Sequence, residues 1–401
     1  MPAALSAGAI LRVIASLVAA ERASLGSGRA WDAAGWTAGT ALGPTGLGLD
    51  SLELVASADA VGRFFRLHET GSDAPLHTEP SLGGWTRIVA DALAGAAGAA
   101  GAAEAAGSLT FATSGTTGLP KLCRQPFAVL RDEAEFWAQH LPGRRRVLQT
   151  VGAHHIYGFL FTALLPDRIG CPVLDTRLLS AAALHRALRP GDLLVGVPGG
   201  LAALLNAGPG QTPGHIPGQT SWPADLVAVS ATAALPSALH TALRVHATEV
   251  VDIYGSSETA GIAARHDPAE PFELLPRWRR GPADGEITEV ATGAPHALPD
   301  HATWHGDRHL RPARRVDGAV QVAGINVFPD QVAARLRRHP LLADCAVILD
   351  TSLPEPRLRA LIVPAPHADA ATIIAACDHW SRRRFTAPER PVSFELRSSL
   401  A

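Results

Sequence analysis

The chain has 401 residues, a length that suits two or three domains of ordinary size. Hydrophobic residues make up 47% of it and charged residues 18%, so a packed core is expected and wholesale disorder is not. The formal net charge of -2 excludes the strongly basic composition of a general nucleic-acid or membrane-surface binder. The 4 cysteines form no CxxC pair, so neither a disulfide framework nor a zinc site is indicated.

Residues 1–93 are predicted to be helical. The apolar stretch Ala3–Ala20 is interrupted by Arg12 and has no basic segment before it. It is therefore interpreted as an amphipathic helix and not as a signal peptide or a membrane span, and a cytoplasmic protein is expected. Asp50 is the predicted N-cap of a second helix that starts at Ser51. Residues 94–107 are almost entirely Ala and Gly and are predicted to form a linker.

From residue 108 onward, short apolar runs alternate with helical patterns, which predicts an α/β core with a largely parallel sheet over residues 108–314. The runs are Leu109–Thr113, Val147–Val151, Leu193–Val197, Leu226–Ser230 and Val250–Ile253. Residues 315–401 are predicted to form a smaller α+β domain. Its predicted elements are the helix Asp330–Arg338, the strands Cys345–Leu349 and Leu358–Val363, the helix Ala368–Arg384 and the strand Val392–Leu396.

One loop carries the strongest chemical signal. Residues 113–121 spell TSGTTGLPK directly after an apolar run, and Lys121 is the only lysine in the chain. Glycines let backbone N–H groups turn inward, and the hydroxyls and the ammonium add donors, a combination suited to a polyphosphate. The loop is not a Walker A motif, because Pro120 occupies a position that requires glycine. The alternative is an ordinary Ser/Thr/Gly turn. The candidate nucleotide-binding residues here are Thr113, Ser114, Gly115, Thr116, Thr117 and Gly118, with Lys121 as a catalytic residue.

The string TSGTTGLPK resembles the phosphate loop of the adenylate-forming superfamily, which includes the acyl-CoA synthetases. Further motifs of that superfamily follow in order. They are His154–Gly158 (like FHIYG), Tyr254–Glu258 (like YGxTE), His305–Asp307 (like TGD), Arg315–Gly318 (like GRxDD) and Gly324–Val332 (like GxxVxPxEI). The resemblance runs from Ser108 to the C-terminus. It implies the fold class: an α/β adenylate-forming ligase core, a small α+β C-terminal lid domain and, here, a helical N-terminal segment.

The resemblance also implies roles for single residues. Tyr254 and Gly255 would lie against the adenine, and Ser257 would contact the α-phosphate. Glu258 would hold Mg²⁺, as hard oxygen ligands beside phosphates do. Asp307 and Arg315 would hold the ribose, and Asp317 would be the hinge of the small domain. The implied acid pocket consists of His155, Tyr157, Gly158, Ala233, Ser256 and Gly261, with His155 also catalytic. Taken alone, His155 would be interpreted as a core histidine.

The implied activity is that of a carboxylic acid ligase. ATP and an acid give an acyl-adenylate and pyrophosphate, and a pantetheine thiol of CoA or of an acyl carrier protein then displaces AMP. Small residues beside the motifs, such as Ala233 and Gly261, favour a short flat acid. The chain looks like the compact ligases that load hydroxybenzoates for bacterial aryl-polyene pigments. The alternative function is a nucleotide-binding pseudo-enzyme or loading scaffold without turnover.

Two departures from the superfamily stand out. Its pattern closes with a Gly-Lys pair whose lysine assists adenylation, whereas this sequence stops at Ser399–Ala401, where that segment should begin. Either a shortened chain or a slow first half-reaction is therefore expected. The segment before the phosphate loop is also short, and its residues Leu47–Glu53 are similar to the acyl-carrier-protein signature. That similarity implies phosphopantetheine on Ser51; the alternative is a helix cap at Asp50 with Ser51 inert.

Arginines occur in four clusters along the chain. The clusters are Arg144–Arg146, Arg277–Arg280, Arg308–Arg315 and Arg382–Arg384. Such clusters are usually solvated surface. Because guanidinium groups match carboxylates and phosphates, the functional alternative is a docking patch for an acidic carrier protein or for the phosphates of CoA.

Overall fold

The computed structural model describes most of the chain. The described residues are 5–25, 35–98, 107–113, 121–207, 222–322, 325–353, 356–366, 368–369 and 372–400. They divide into two compact units, of which unit 1 extends to Leu275 and unit 2 starts at Pro276. The predicted boundary between residues 314 and 315 therefore lies inside unit 2.

Three helices open unit 1. They are α1 (Ala7–Ser24), α2 (Ser51–Phe65) and α3 (Leu82–Gly98). Helix α1 packs against the other two, and its residues Ile10, Val13 and Ile14 are fully buried at the helical spacing expected from the sequence. Helix α3 continues into the Ala/Gly stretch predicted to be a linker, because alanine has the highest helix propensity. The remainder of that stretch, 99–106, lies outside the described residues.

A parallel sheet forms the centre of unit 1. Its strands, with a preceding hairpin, are β1 (Ser108–Thr113), β2 (Lys121–Pro126), β3 (Arg146–Gln149), β4 (Val173–Asp175), β5 (Asp192–Gly196), β6 (Val227–Ser230), β7 (Glu249–Ser256), β8 (Ala260–Arg265) and β9 (Phe272–Leu274). The order across the sheet in unit 1 is β9-β8-β7-β6-β5-β3-β4. Strands β3 to β7 are parallel, whereas β8 and β9 are antiparallel additions at one side. Strands β5 and β6 are buried along their whole length, as expected for a sheet covered on both faces.

Helices connect the parallel strands, which confirms the predicted α/β core. They are α4 (Phe127–His140), α5 (Ile156–Phe159), α6 (Leu165–Ile169), α7 (Ala181–Ala187), α8 (Pro198–Asn206) and α9 (Ser237–Arg244). One detail of the prediction is wrong. The run Leu109–Thr113 does not join the parallel sheet but pairs antiparallel with β2. The connection between β1 and β2 is too short for the crossover that parallel pairing requires.

Unit 2 is built from small antiparallel pieces and a C-terminal α+β segment. Its strands are β10 (Trp278–Arg280), β11 (Glu286–Glu289), β12 (Pro295–Ala297), β13 (Asp300–His305), β14 (His309–Arg315), β15 (Val320–Val322), β16 (Ile325–Val327), β17 (Leu342–Asp350), β18 (Arg357–Pro364) and β19 (Ser393–Leu396), and its helices are α10 (Pro329–Leu336) and α11 (Ile373–Arg382). The segment from β15 to β19 has a core of its own that includes Leu336, Ile362 and Cys377. This segment confirms the predicted α+β character of the C-terminal part. Among the described residues of both units, no helix has the length and apolar character needed to cross a membrane.

Candidate active site

Two of the sequence motifs meet at the end of β7. Lys121 opens β2, and its Nζ lies 2.6 Å from Oε1 of Glu258, which follows β7. The buried Gln125 side chain donates a 2.6 Å hydrogen bond from Nε2 to the carbonyl oxygen of Ser257. Residues 137 positions apart, Lys121 and Glu258, are thus held in direct contact. The hairpin and the Tyr254–Glu258 motif are joined at two points.

The hairpin also fixes both ends of the predicted phosphate loop. Thr113 and Lys121 are opposite each other in the β1–β2 register, and Thr113 Oγ1 donates to the Lys121 carbonyl at 3.4 Å. The central loop residues Ser114, Gly115, Thr116, Thr117 and Gly118 lie outside the described residues. Thr113 and Lys121 are therefore the members of the predicted loop that the structure positions.

Glu258 carries the negative charge of this site. Partial burial raises the pKa of Glu258, but hydrogen bonding, first of all from Lys121, lowers the pKa more, so the carboxyl is held below its usual range. It is therefore ionised at neutral pH. Among the residues described, no group of three or more His, Cys, Asp or Glu side chains could enclose a metal ion. One carboxylate beside bound phosphates fits Mg²⁺, which usually keeps several waters and takes few protein ligands.

The turn after β7 is closed tightly around its glycine. A Cβ on Gly255 would lie 2.3 Å from the Ala260 carbonyl oxygen, so this position needs glycine. Ser256 Oγ is hydrogen-bonded to Thr259 Oγ1 at 3.0 Å. Tyr254, half-buried at the start of the turn, packs edge-on against Phe272 with 6.0 Å between ring centroids. The backbone of this motif is thus fixed by local packing.

Arg265 on β8 braces this region, and the sequence analysis did not identify it. Its guanidinium pairs with Asp252 of β7 at 2.9 Å and donates a 3.2 Å hydrogen bond to the Leu235 carbonyl. It also lies 4.5 Å above the Phe272 ring on which Tyr254 packs. Burial raises the pKa of Asp252 to about 6, against the pull of its arginine partner. Two features of the sequence could have indicated this pair: Asp252 lies inside an apolar strand, and Arg265 ends a strand of small residues.

The histidine motif is anchored to helix α1. His154 Nδ1 lies 2.8 Å from Oγ of the buried Ser16, and the rings of His154 and His155 are 4.0 Å apart. Burial lowers the pKa of His154 well below its usual value, and the charges of His155 and Arg177 lower it further. Desolvation likewise lowers the pKa of His155, although this residue is exposed at the surface of the structure. Both shifts favour the neutral form of the imidazoles.

Tyr157, a predicted residue of the acid pocket, is bonded to the backbone of the central sheet. Its buried hydroxyl donates to the carbonyl oxygens of Gly196 and Val229, at 3.0 and 2.8 Å, at the ends of β5 and β6. Burial raises the pKa of this phenol well above its ordinary value. The hydroxyl is thus committed to the backbone of the sheet, and only the ring remains to border a ligand.

Close packing accounts for two of the predicted pocket glycines. A Cβ on Gly158 would meet the Gly152 carbonyl oxygen at 2.1 Å, and one on Gly261 would meet Glu133 Oε1 at 2.3 Å. The Gly261 amide also donates to Glu133 Oε2 at 3.0 Å. Ala233 is half-buried after β6. The backbone contact requires glycine at Gly158, whereas a Cβ at Gly261 would have to displace the buried Glu133 side chain, whatever acid is bound.

The remaining predicted site residues belong to unit 2. Asp307 is exposed in the β13–β14 turn, where Gly306 has a φ of 73°. Arg315 donates two hydrogen bonds to the carboxylate of Asp317, at 3.0 and 2.6 Å. That contact, together with the Ala319 amide, holds the pKa of Asp317 below its usual range. The structure brings Arg315 and Asp317 together; their roles at the ribose and the hinge stay predictions.

Ser51 is exposed in the first turn of α2. Asp50 Oδ1 accepts from the Glu53 amide at 2.8 Å, and Glu53 Oε2 accepts from the Asp50 amide at 3.0 Å. This capping box confirms Asp50 as the N-cap. Phosphopantetheine on Ser51 stays a prediction.

The chain is similar to known proteins over most of its length. The family described as AMP-binding enzyme matches residues 105–292. The 4-coumarate--CoA ligase of Halorhodospira halophila is 33% identical, over 99% of this chain and 97% of its own. The 4-coumarate--CoA ligase of Rhodobacter capsulatus is also 33% identical, over 98% of this chain and 97% of its own.

Solved structures agree on the fold. The amide bond synthetase McbA of Marinactinospora thermotolerans superimposes with a TM-score of 0.56 at 18% identity, over 98% of this chain and 91% of its own. A malonyl-CoA ligase with methylmalonyl-CoA and AMP bound gives a TM-score of 0.56 at 22% identity, over 73% of this chain and 71% of its own. At these identities the likeness concerns the fold alone.

Proposed function

Because the chain belongs to the AMP-binding enzyme family and is an acid–thiol ligase, we propose that it joins a small aromatic hydroxy acid to the thiol of CoA with ATP. The observation that supports this most directly is the contact of Lys121 with Glu258 at the end of β7. This contact places a cation that can bind phosphates next to an ionised carboxylate. The ends of strands in a parallel α/β sheet are where ligands of such folds bind.

In the first step, a carboxylate oxygen of the acid attacks the α-phosphorus of ATP and pyrophosphate leaves. Lys121 and the hydroxyls and amides of the loop offset the charge of the phosphates, and the proposed place of Tyr254 is against the adenine. Glu258 would hold Mg²⁺, which supplies further positive charge for the phosphates when bound. Catalysis of this kind depends on positioning and on charge stabilisation more than on covalent help from the protein.

In the second step, the thiol of CoA attacks the carbonyl carbon of the acyl-adenylate. A thioester forms, AMP leaves, and the thiol proton is released to solvent. Asp317 is the proposed hinge for the movement between the two steps. In this structure the Asp317 carboxylate accepts hydrogen bonds from Arg315 and from the Ala319 amide.

The proposal of an aromatic hydroxy acid has two supports. The relatives that match almost the whole chain are named for 4-coumarate, a phenolic acid. Hydroxybenzoates, expected from the sequence, are phenolic acids as well. The neutral imidazoles of His154 and His155 also suit such a ligand, since they can bond a phenol or a carboxyl group without adding net charge. We also propose a role in pigment synthesis and, as an alternative to CoA, transfer of the acyl group to an acyl carrier protein.

The test uses the purified full chain with Mg·ATP, CoA and a panel of acids. The panel is 4-coumarate, cinnamate, 4-hydroxybenzoate, 3-hydroxybenzoate, acetate and malonate. Pyrophosphate release and thioester formation are followed separately, and a pantetheinylated carrier protein replaces CoA in a parallel series. We expect the hydroxylated aromatic acids to give the highest kcat/KM. A preference for the aliphatic acids would refute the proposed substrate class, and absence of any thioester would refute the proposed reaction.

A further inference from the structure

Four polar side chains join helix α1 to the carboxyl ends of β3 and β4. Asp175 ends β4, and its carboxylate accepts hydrogen bonds from Nε and Nη2 of Arg177, at 3.0 and 2.6 Å. The same guanidinium donates from Nη1 to Oγ of Ser16 at 3.3 Å. Ser16 is fully buried, and its Oγ lies 2.8 Å from Nδ1 of His154. A continuous set of hydrogen bonds therefore connects Asp175 to His154.

The hydrogen bonds of Ser16 determine which nitrogen of His154 carries the proton. A guanidinium can only donate, so the Ser16 oxygen accepts from Arg177 and must place its own proton elsewhere. Among the residues that the structure describes, Nδ1 of His154 is the only acceptor to which this hydroxyl is bonded. Nδ1 is therefore the acceptor, and the proton of the neutral imidazole is on Nε2.

The surroundings of His154 hold its ring in place before any ligand arrives. A Cβ on Gly152 would lie 2.9 Å from Nδ1 of His154 and 3.2 Å from Oγ of Ser16, so glycine at this position leaves room for their contact. The ring of His155 lies 4.0 Å away, measured between ring centroids. Burial, followed by the charges of His155 and Arg177, lowers the pKa of His154 and so favours the neutral N–H donor. A donor that is fixed in advance loses less entropy on binding.

His154 lies at the edge of the sheet where a ligand is expected. It follows β3, and β4 is the parallel neighbour of that strand. Ligands of parallel α/β sheets bind beyond the carboxyl ends of the strands. The His154 side chain is half-buried, and its Nε2 has no hydrogen-bond partner among the described residues and does not belong to their enclosed polar atoms. This N–H group is therefore available to a ligand.

We propose that His154 determines acid specificity by donating a hydrogen bond from Nε2 to the phenol oxygen, and that Ser16 and Arg177 are positioning residues that fix the required tautomer. The inference rests on the proposed function, which supplies an acid with a phenol group. Cinnamate lacks that oxygen and would leave the donor unpaired, which costs binding free energy. The superfamily motif FHIYG has phenylalanine where this chain has His154, so the hydrogen bond depends on a residue in which this chain departs from the motif.

The test is calorimetric binding of 4-coumarate and of cinnamate to the full chain, which does not require turnover. The variants are His154→Phe, Ser16→Ala and Ser16→Thr, the last of which keeps a hydroxyl. Ser57→Ala is the matched control. Ser57 is also a fully buried serine on a helix of unit 1, but its hydroxyl has no partner among the described residues.

We expect the parent to bind 4-coumarate roughly tenfold more tightly than cinnamate, the value of one hydrogen bond. This ratio should fall to within about twofold of unity in His154→Phe and in Ser16→Ala, because the first removes the donor and the second releases its tautomer. Ser16→Thr and Ser57→Ala should both keep the ratio of the parent. A merely structural role of Ser16 would weaken the binding of both acids equally and leave the ratio unchanged.

Nitrogen NMR of the full chain, isotopically labelled at histidine, reads the tautomer directly. The signals that disappear in His154→Phe should show a protonated Nε2 and an unprotonated Nδ1 in the parent, and a mixture of tautomers in Ser16→Ala. The inference is refuted if the parent does not discriminate between the two acids, if the ratio persists in Ser16→Ala, or if Nδ1 carries the proton. Thioester formation with CoA is measured on the same preparations. A parent that binds 4-coumarate selectively without forming a thioester would refute the proposed reaction and retain the role of His154.

Discussion

At the scale of single residues, the candidate active site depends on the direct contact between Lys121 and Glu258. Both side chains are about half exposed, so their 2.6 Å contact is a surface ion pair of small energetic value to the fold. Its proposed value lies in function, because it places a cation and a carboxylate oxygen, the proposed ligand of Mg²⁺, next to the loop expected to hold phosphates. The hydrogen bond from Lys121 also lowers the pKa of Glu258.

Lys121→Ala and Glu258→Ala are each expected to slow pyrophosphate release by about 10²–10³-fold. The first removes a cation that offsets the charge of the phosphates, and the second removes the oxygen ligand that would hold Mg²⁺. Stability should change by no more than about 1 kcal/mol, since the pair is solvated. Arg244→Ala, which breaks the similarly exposed pair with Asp267, is the matched control and should leave activity unchanged. The steady-state rate of pyrophosphate release at saturating Mg·ATP and the free energy of unfolding in urea would be measured for each variant. Normal release in both site variants would contradict the assignment.

At the scale of elements, Glu53 of helix α2 takes part both in a local helix cap and in a tertiary ion pair. Glu53 is the N3 member of the capping box and also pairs with Arg22 of α1, with Nε to Oε1 at 3.3 Å and both side chains buried. The cap is readable from the spacing of Asp50 and Glu53. The buried pair is not, because it joins helices separated by a long connection.

Glu53→Ala is expected to destabilise unit 1 by about 3–5 kcal/mol, because it leaves the buried Arg22 guanidinium without its carboxylate. Arg63→Ala, on the same helix, breaks an exposed pair with Asp59 and should cost at most about 0.5 kcal/mol. Urea unfolding of the full chain gives both values. If the two variants lost the same free energy of unfolding, the buried ion pair would contribute no more to stability than the surface pair.

At the scale of the whole molecule, each unit has its own hydrophobic core. Leu194 on β5 belongs to the cluster between the parallel sheet and its helices, and Leu358 on β18 belongs to the cluster of the small domain. Both leucines are fully buried in strands. They therefore form a matched pair of sites, one in each unit.

Leu194→Ala and Leu358→Ala are each expected to cost about 2–5 kcal/mol through the cavity they create. Hydrogen exchange followed by mass spectrometry should show faster exchange for Leu358→Ala in β17 and β18 but not in β5 and β6, and the reverse for Leu194→Ala. This follows because each side chain contacts one core only. If Leu358→Ala accelerated exchange in both sets of strands to the same extent, the units would not be separate in stability.

The sequence by itself determined the features that depend on neighbours along the chain. The N-cap at Asp50, the buried face of α1 and the alternation of strands and helices follow from local spacing, because caps and amphipathic periodicity involve residues within a few positions. The ordered motifs from Thr113 to Asp317 likewise predicted the family, which the relatives over nearly the whole chain confirm.

The tertiary structure decided which of these residues meet. It paired β1 with β2, joined Lys121 to Glu258 and committed the Tyr157 hydroxyl to β5 and β6. It also paired Arg265 with Asp252 beside the turn that carries Tyr254. These contacts join side chains that are distant in sequence, and their formation depends on how elements pack and on which charges remain compensated. No local pattern encodes that, because the partner of a side chain is set by residues that are distant in sequence.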